Sequence, residues 1–501
     1  MPFARLSAWT PAAALLLAVA CTPAAPAPTA TTAAPPTTAP APTKPAAAAS
    51  AAASPAAAVS PAAKPAASPS PSAPVSAAPS PGVAASPSAV AGGVPASVAK
   101  PSSGTLTIAA VQGSEDAPLK AIAPMYQQQY GVQVNIVEFP YDQLYEKLVT
   151  TFQANTPTYD LIMMDDPWMP KFGTNDWLQP LDTNFGFTRD PDIPGVVYDV
   201  GTWPPPRGPV PPTESGKAAH LYGITIVGNV EMFMYRKDMG DAPKTWDDVL
   251  ANAQKNNKPG FAGYVIRGKA TNPIVADFLP ILWSFGGDVF DSNWHEQVDS
   301  QASINAANFL ITQLKAVAEP GAENVDAADR DRLIAINQGY QSTVWPAEVT
   351  DVVENPQVSQ VVGKVGYTPI PAGPSGKGYG NMGNWLMGVP KATQNGQAAA
   401  DFIKWLTSPQ IQRQYVADGG IPSRKSLLND ATLNQKDPFF SALAQALDAG
   451  PNWRPRTDQW NAVETILGTE LNSALAGLSS PEDAMKTAGE QITSTMQQAG
   501  Y

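Results

Sequence analysis

TLTIAAVQGSEDAPLKAIAPMYQQQYGVQVNIVEF (105–139) and YDLIMMDDPW (159–168) set the fold class. TLTIAAV (105–111) is a short apolar run of the kind found in a buried strand. SEDAPLKAIAPMYQQQYG (114–131) reads as a helix with acids in its first turn and Gly131 after its last. VQVNIVEF (132–139) is a second strand, a helix over about 141–155 follows, and YDLIMM (159–164) is a third strand ending at Asp165-Asp166. Strands alternating with helices at this spacing require parallel crossovers, hence an α/β sheet. Ligands of such sheets sit beyond the carboxyl ends of the strands. Here those ends are Gln112-Gly113, Phe139-Pro140-Tyr141 and Asp165-Asp166-Pro167-Trp168.

Downstream, the Pro- and Gly-rich stretch 186–219, with GTWPPPRGPVPP at 201–212, reads as a long surface excursion. YGITIVGNVEMFMYRKD (222–238) has two apolar runs broken at Gly228-Asn229, as expected where a chain crosses between two lobes. Thr245, with Asp248 three residues on, opens a helix over 245–256 by a capping box. Helices are expected at 272–285, 301–318, 325–338, 395–407, 408–420 and 480–498, and strands at 342–345, 364–370 and 384–390. No internal repeat is present.

Upstream, the chain of 501 residues holds a segment that cannot build a core. Thr22–Ser103 contains 19 prolines among Ala, Ser and Thr, three lysines, no acid and no aromatic residue. MPFARLSAWTPAAALLLAVAC (1–21) has one basic residue and then a short apolar core, the pattern of an export signal, and it ends at the only cysteine. A lone Cys in an exported protein has no disulfide partner. LAVAC (17–21) resembles the lipobox of bacterial lipoproteins, which implies lipidation of Cys21; Ala18-Val19-Ala20 also fits cleavage in ordinary secretion. The segment 22–103 is then a disordered linker between membrane and body. All 43 acidic residues but only 27 of the 31 basic ones lie in 104–501, so the body carries −16 where the whole chain carries −12. Nucleic acid is excluded as a partner by that charge.

Catalytic patterns are missing. The two histidines, His220 and His295, lie in dissimilar surroundings, and there is no HExxH, GxSxG, P-loop or Rossmann fingerprint. Asp165-Asp166 could form an acid/base or cation pair, but neighbours on an extended strand point to opposite faces. No metal or cofactor is expected. The body is instead rich in tryptophan, with 11 of the 12 beyond Ser103, several beside Gly, Asn or Asp at strand ends. An indole face packs on the C–H face of a sugar ring while polar neighbours bond its hydroxyls.

These segments, with WSFGGDVFD (283–291), GNWLMGVPKATQNGQAAADFIKWL (383–406) and SPEDAMKTAGEQI (480–492), together resemble the family 1 extracellular solute-binding proteins of ABC importers, the group of maltose-binding protein, over essentially all of 104–501. The resemblance implies two α/β lobes of the type II periplasmic-binding-protein fold, 104–226 with 388–450 and 227–387 with 451–501. A ligand cleft lies between them. It implies ligand contacts at Gln112, Tyr141, Asp166, Trp168, Asn229, Trp283, Gly286, Gly287, Trp345, Gly383, Asn384, Trp385 and Trp460, and a structural role for Arg424. The implied activity is capture of a mono- or oligosaccharide by a monomer through hinge closure, followed by delivery to the permease subunits of an ABC transporter. A neutral Asn229, where many relatives carry acids, and the excursion at 186–219 depart from the family pattern and leave the sugar open. The alternatives are an exported glycan-active enzyme, with two carboxylates facing across the cleft, a binder of a polyamine or other small solute, and a structural surface protein.

Overall fold

Apolar runs bounded by Gly, Pro and acids become ten strands in the computed structural model, which describes residues 93–501. In chain order they are β1 (Thr105–Val111), β2 (Gln133–Phe139), β3 (Leu161–Asp165), β4 (Thr202–Trp203), β5 (His220–Leu221), β6 (Gly223–Val227), β7 (Met232–Arg236), β8 (Gln341–Val344), β9 (Val365–Thr368) and β10 (Trp385–Gly388). The first sheet has the order β2-β1-β3-β10-β6, with β1 parallel to β2 and β3, and β10 antiparallel to β3 and β6. Every residue of β3, β6 and β10 is buried, as required of strands covered on both faces. The second sheet, β8-β7-β9, is antiparallel, and β4 and β5 form a small ribbon.

The chain passes from the first sheet to the second between β6 and β7, at Gly228-Asn229-Val230-Glu231. Alternation along β7 divides its side chains between two cores. Met232 and Met234 join the core of the first sheet, and Phe233 joins a second core built on Trp246 and the helices Asn272–Ser284, Trp460–Leu475 and Pro481–Gln498. The helix Phe439–Asp448 packs on β9, with Tyr367 and Phe439 ring centres 6.0 Å apart. Thr245 caps the helix Trp246–Asn256 through Asp248, with both arms of the capping box formed.

Some expectations change. The first helix is Ala117–Tyr130, so Glu115 and Asp116 precede it, and Pro118 occupies its first turn. The helix expected over 301–318 is α-helical only for Gln301–Asn308; wider turns follow to Leu314 and a tight turn to Val317. The helix expected over 325–338 is Ala327–Ala335. The stretch 186–219 is not merely a surface excursion: Val197, Val200 and Trp203 are buried, and a methyl group on Gly173 would meet the Trp203 ring at 2.5 Å. Exposed residues remain at Pro206–Gly208, at Val210, over most of 212–219 and at scattered positions before 196. Residues 94–99, assigned above to the linker, lie against the first core, where the Ala99 N–H donates to Asp401 at 2.8 Å. The export signal, Cys21 and most of the linker lie outside the described residues.

Candidate functional site

A cavity of about 480 Å³ opens where the carboxyl ends of β1 and β3 and the start of β10 face the second sheet's helices. One wall is Val111, Gln112, Glu115, Tyr141 and Asp165, with Gly383 and Trp385 from the approach to β10. The other holds Arg267, Lys269, Asp326 and Glu348 with the starts of the helices Asn272–Ser284 and Ala327–Ala335. Asn229, on the crossing, and Trp345, just past β8, close the inner side. Arg454 also lines it.

Of the two adjacent aspartates only Asp165, the last residue of β3, lines the cavity; Asp166 opens the turn that follows. Asp165 accepts both Arg454 Nη1 and Nη2, at 2.9 and 3.0 Å, and the Tyr141 hydroxyl at 2.9 Å. Asp166 is fully buried behind it, accepting the Asn384 N–H at 2.8 Å, with Arg454 Nη2 3.5 Å and Arg456 Nη1 3.8 Å away. Burial raises its carboxyl to about 6, with Arg454 and Arg456 opposing. Arg456 donates to the carbonyls of Asp166 and Val200 at 2.7 and 2.6 Å, so the two arginines of 454–456 anchor that segment to the first sheet.

On the opposite wall, Asp326 caps its helix and accepts Arg267 at 3.2 Å and Lys269 at 3.0 Å. Burial alone would raise its carboxyl, but Arg267, the Ala327 N–H and Lys269 bring it down to about 2. Arg267 also reaches Asp277 at 3.4 Å, and the fully buried Arg330 holds Asp277, Asp331 and Glu348. Thr271 sits at φ 70°, a left-handed conformation that is strained for a β-branched residue and is found mainly at functional sites. Glu115 stands apart. Among the described residues it has no ion-pair partner, and burial, then the charge of Glu348, push its carboxyl up to about 8, with its own backbone N–H and Arg267 opposing.

Of the residues expected in the cleft, Gln112, Tyr141, Asn229, Trp345, Gly383 and Trp385 line the cavity together. Gly383 is required there, because a Cβ would lie 2.4 Å from the Trp345 ring. Asp166, Trp168, Trp283, Gly286, Gly287, Asn384 and Trp460 do not reach it. Trp168 is wholly buried behind the wall, 5.1 Å from the Tyr141 ring and 5.6 Å from Trp385. Trp283 and Trp460 fill the second core. Gly286 takes a left-handed turn after the helix Asn272–Ser284, and Gly287 leaves room for Leu282 and Ser303. Asn384 braces Asp166 and Thr225. The opposite wall and Arg454 were missed; the available signals were the Val-Asp-Ala-Ala-Asp helix start at 325–329 for the wall and the Arg-Pro-Arg of 454–456 for the arginine.

A fold with these features has known relatives. The family described as "Bacterial extracellular solute-binding protein" matches residues 109–413. A probable amino-acid ABC transporter periplasmic-binding protein of Sinorhizobium fredii is 28% identical over 382 residues, covering 74% of this chain and 84% of that one. An ABC transporter solute-binding protein of Agrobacterium radiobacter, solved with ribitol, superposes with a TM-score of 0.70 at 25% identity, covering 78% of this chain and 98% of the other. The maltose-bound MalE3 of T. maritima superposes at 0.68 with 25% identity, over 77% and 98%. The match over 109–413 spans most of the chain and both sheets, and on it this protein belongs to the bacterial extracellular solute-binding protein family.

Proposed function

We propose that this chain captures a carbohydrate, a sugar or a polyol, between its two lobes and presents it to the permease subunits of an ABC importer. The observation that carries the reading is the composition of the cavity wall. Tyr141, Trp345 and Trp385 offer aromatic faces, while Gln112, Asn229 and Asn272 offer amides, within about 480 Å³. Such sites combine an apolar, ring-sized wall with a few fixed polar groups. Ribitol and maltose, the ligands of the two similar structures, belong to this chemical class. The name of the S. fredii relative suggests an amino acid instead. That ligand needs a free cation for its α-carboxylate, and Arg267, Lys269 and Arg454 are all committed to aspartates.

The protein acts as a binder and not as an enzyme. Asp165 and Asp326, on opposite walls, are each held in ion pairs, Asp165 by Arg454 and Asp326 by Arg267 and Lys269. The two lobes, one on each sheet, close about the crossing at Gly228–Glu231 and the two later crossings, with Trp385–Gly388 in the first lobe as part of β10. Contacts from both lobes exist only when the cleft is shut, so ligand shifts the population to the closed form. The protein works as a monomer on the outer face of the membrane, tethered through a lipid on Cys21 and the linker that follows it. A thermal-shift screen of sugars and polyols tests the reading. A true ligand at 100 times its dissociation constant adds about 2.7 kcal/mol. A complete set of hexoses, pentitols, hexitols and disaccharides giving no shift would sink it.

A further inference from the structure

The cavity's charges are unevenly matched. Its lining carries the carboxylates Glu115, Asp142, Asp165, Asp326 and Glu348 against the cations Arg267, Lys269 and Arg454. Each cation is taken: Arg454 by Asp165, Arg267 by Asp326 and Asp277, Lys269 by Asp326. Glu348 is held from behind by Arg330. Asp142 is exposed at the rim, where water solvates it. What remains inside is Glu115, folded back over the end of β1 so that a Cβ on Gly113 would lie 3.4 Å from its Oε2. The charged groups acting on it are Glu348 and Arg267 from the opposite wall and Asp165 from β3, and its own charge is felt by the buried Tyr415. The two nearest in effect on the open side, Glu348 and Asp165, are negative, so the space in front of Glu115 favours positive charge. Tyr141, Trp345 and Trp385 share that space, and aromatic faces attract cations.

We infer that Glu115 receives a protonated amine of the solute, so that the ligand of this cleft is an amino sugar or amino polyol and not its neutral counterpart. The inference rests on the carbohydrate reading above. A carboxyl that lines the cavity without an ion-pair partner and has a raised affinity for its proton exchanges that proton for a cation when the amine arrives. The ammonium then makes a charge-assisted hydrogen bond that a hydroxyl cannot match. The rival arrangement, in which Glu115 stays protonated and donates to a neutral ring oxygen, gives the opposite ranking of ligands.

Calorimetry on the full chain at about pH 6.5 separates them. The probes are glucosamine, galactosamine, mannosamine and glucamine, each beside its hydroxyl parent, with the N-acetyl forms of the three amino hexoses and putrescine as a non-carbohydrate amine. At least one amino compound should bind about tenfold or more tighter than its parent and, where one is tested, its N-acetyl form, with proton release on binding. Glu115→Gln should bring that ratio to within about twofold and abolish the proton release, while Glu115→Asp keeps part of both. Melting curves check that each variant is folded. A parent that binds as well as its amine, or a preference that survives Glu115→Gln in the folded variant, overturns the inference and leaves the carbohydrate reading standing. Binding of putrescine alone, or of nothing in the set, overturns this inference and leaves the carbohydrate reading to the wider thermal-shift screen.

Discussion

Tryptophans that look alike in sequence do different work here. Trp345 and Trp385 face the cavity, whereas Trp168 lies 5.6 Å behind Trp385 with no exposure of its own. Each stands near Asp, Asn, Gly or Pro at a strand end, and no local pattern separates them. What separates them is the residue behind: Gly383 clears a place for the Trp345 ring, while Tyr145 and Phe172 close over Trp168. Trp345→Ala should therefore weaken ligand binding by about tenfold or more and lose less stability than Trp168→Ala. Trp168→Ala should instead cost about 3–5 kcal/mol of stability. Paired melting and calorimetry decide this, and a large stability loss in Trp345→Ala would reassign that ring to the core. At Asp165-Asp166 the relevant cue was available, since period-two alternation requires that only one face the cleft. The family resemblance pointed to Asp166, and the geometry puts Asp165 on the cavity wall.

Among elements, the crossing from β6 to β7 is where chemistry and motion meet. Glu231 sits on it, fully buried, and both its carboxylate oxygens lack a hydrogen-bond partner among the described residues. Burial, then the charge of Asp277, holds its carboxyl well above the ordinary range, with Arg330, Thr343 and Arg267 opposing. The folded protein thus keeps this proton to a higher pH than the unfolded chain, whose glutamate titrates near 4.5. Above that value the unfolded state binds fewer protons, and the contribution to stability falls as pH rises. Glu231→Gln should therefore gain stability over the native chain, and gain more at pH 8 than at pH 5. Chemical unfolding at both pH values checks the sign; a variant that loses ground with rising pH contradicts it. The first three strands were legible because short apolar runs separated by helix-length spacers admit few topologies. Gln112 and Tyr141 followed from them as strand ends. The far wall was not legible: Arg267, Lys269, Asp326 and Glu348 come from separate stretches that only the packing of the second sheet brings together. The buried half of 186–219 was hidden for a related reason, because proline and glycine mark irregular backbone whether or not it is covered.

At the scale of the whole molecule, the stretch 201–212 touches parts that the two sheets keep separate. Arg207 lies over the Trp453 ring at 3.8 Å and reaches Asp199 at 3.5 Å. Three residues on, the Val210 carbonyl accepts Trp294 Nε1 at 3.2 Å, and Trp294 belongs to the second core, edge-on to Tyr501. Trp294→Phe keeps a ring there and deletes the donor. Small-angle scattering of the ligand-free variant should show a wider spread of dimensions than the native chain, and unchanged scattering would mean that the contact restrains nothing. If opening the cleft breaks this one bond, each opening costs about 0.5–1.5 kcal/mol, which lowers the open fraction by about 2- to 10-fold. The proline-rich loop is then an affinity dial set far from the ligand: residues that never meet the solute adjust how scarce it can become before capture fails.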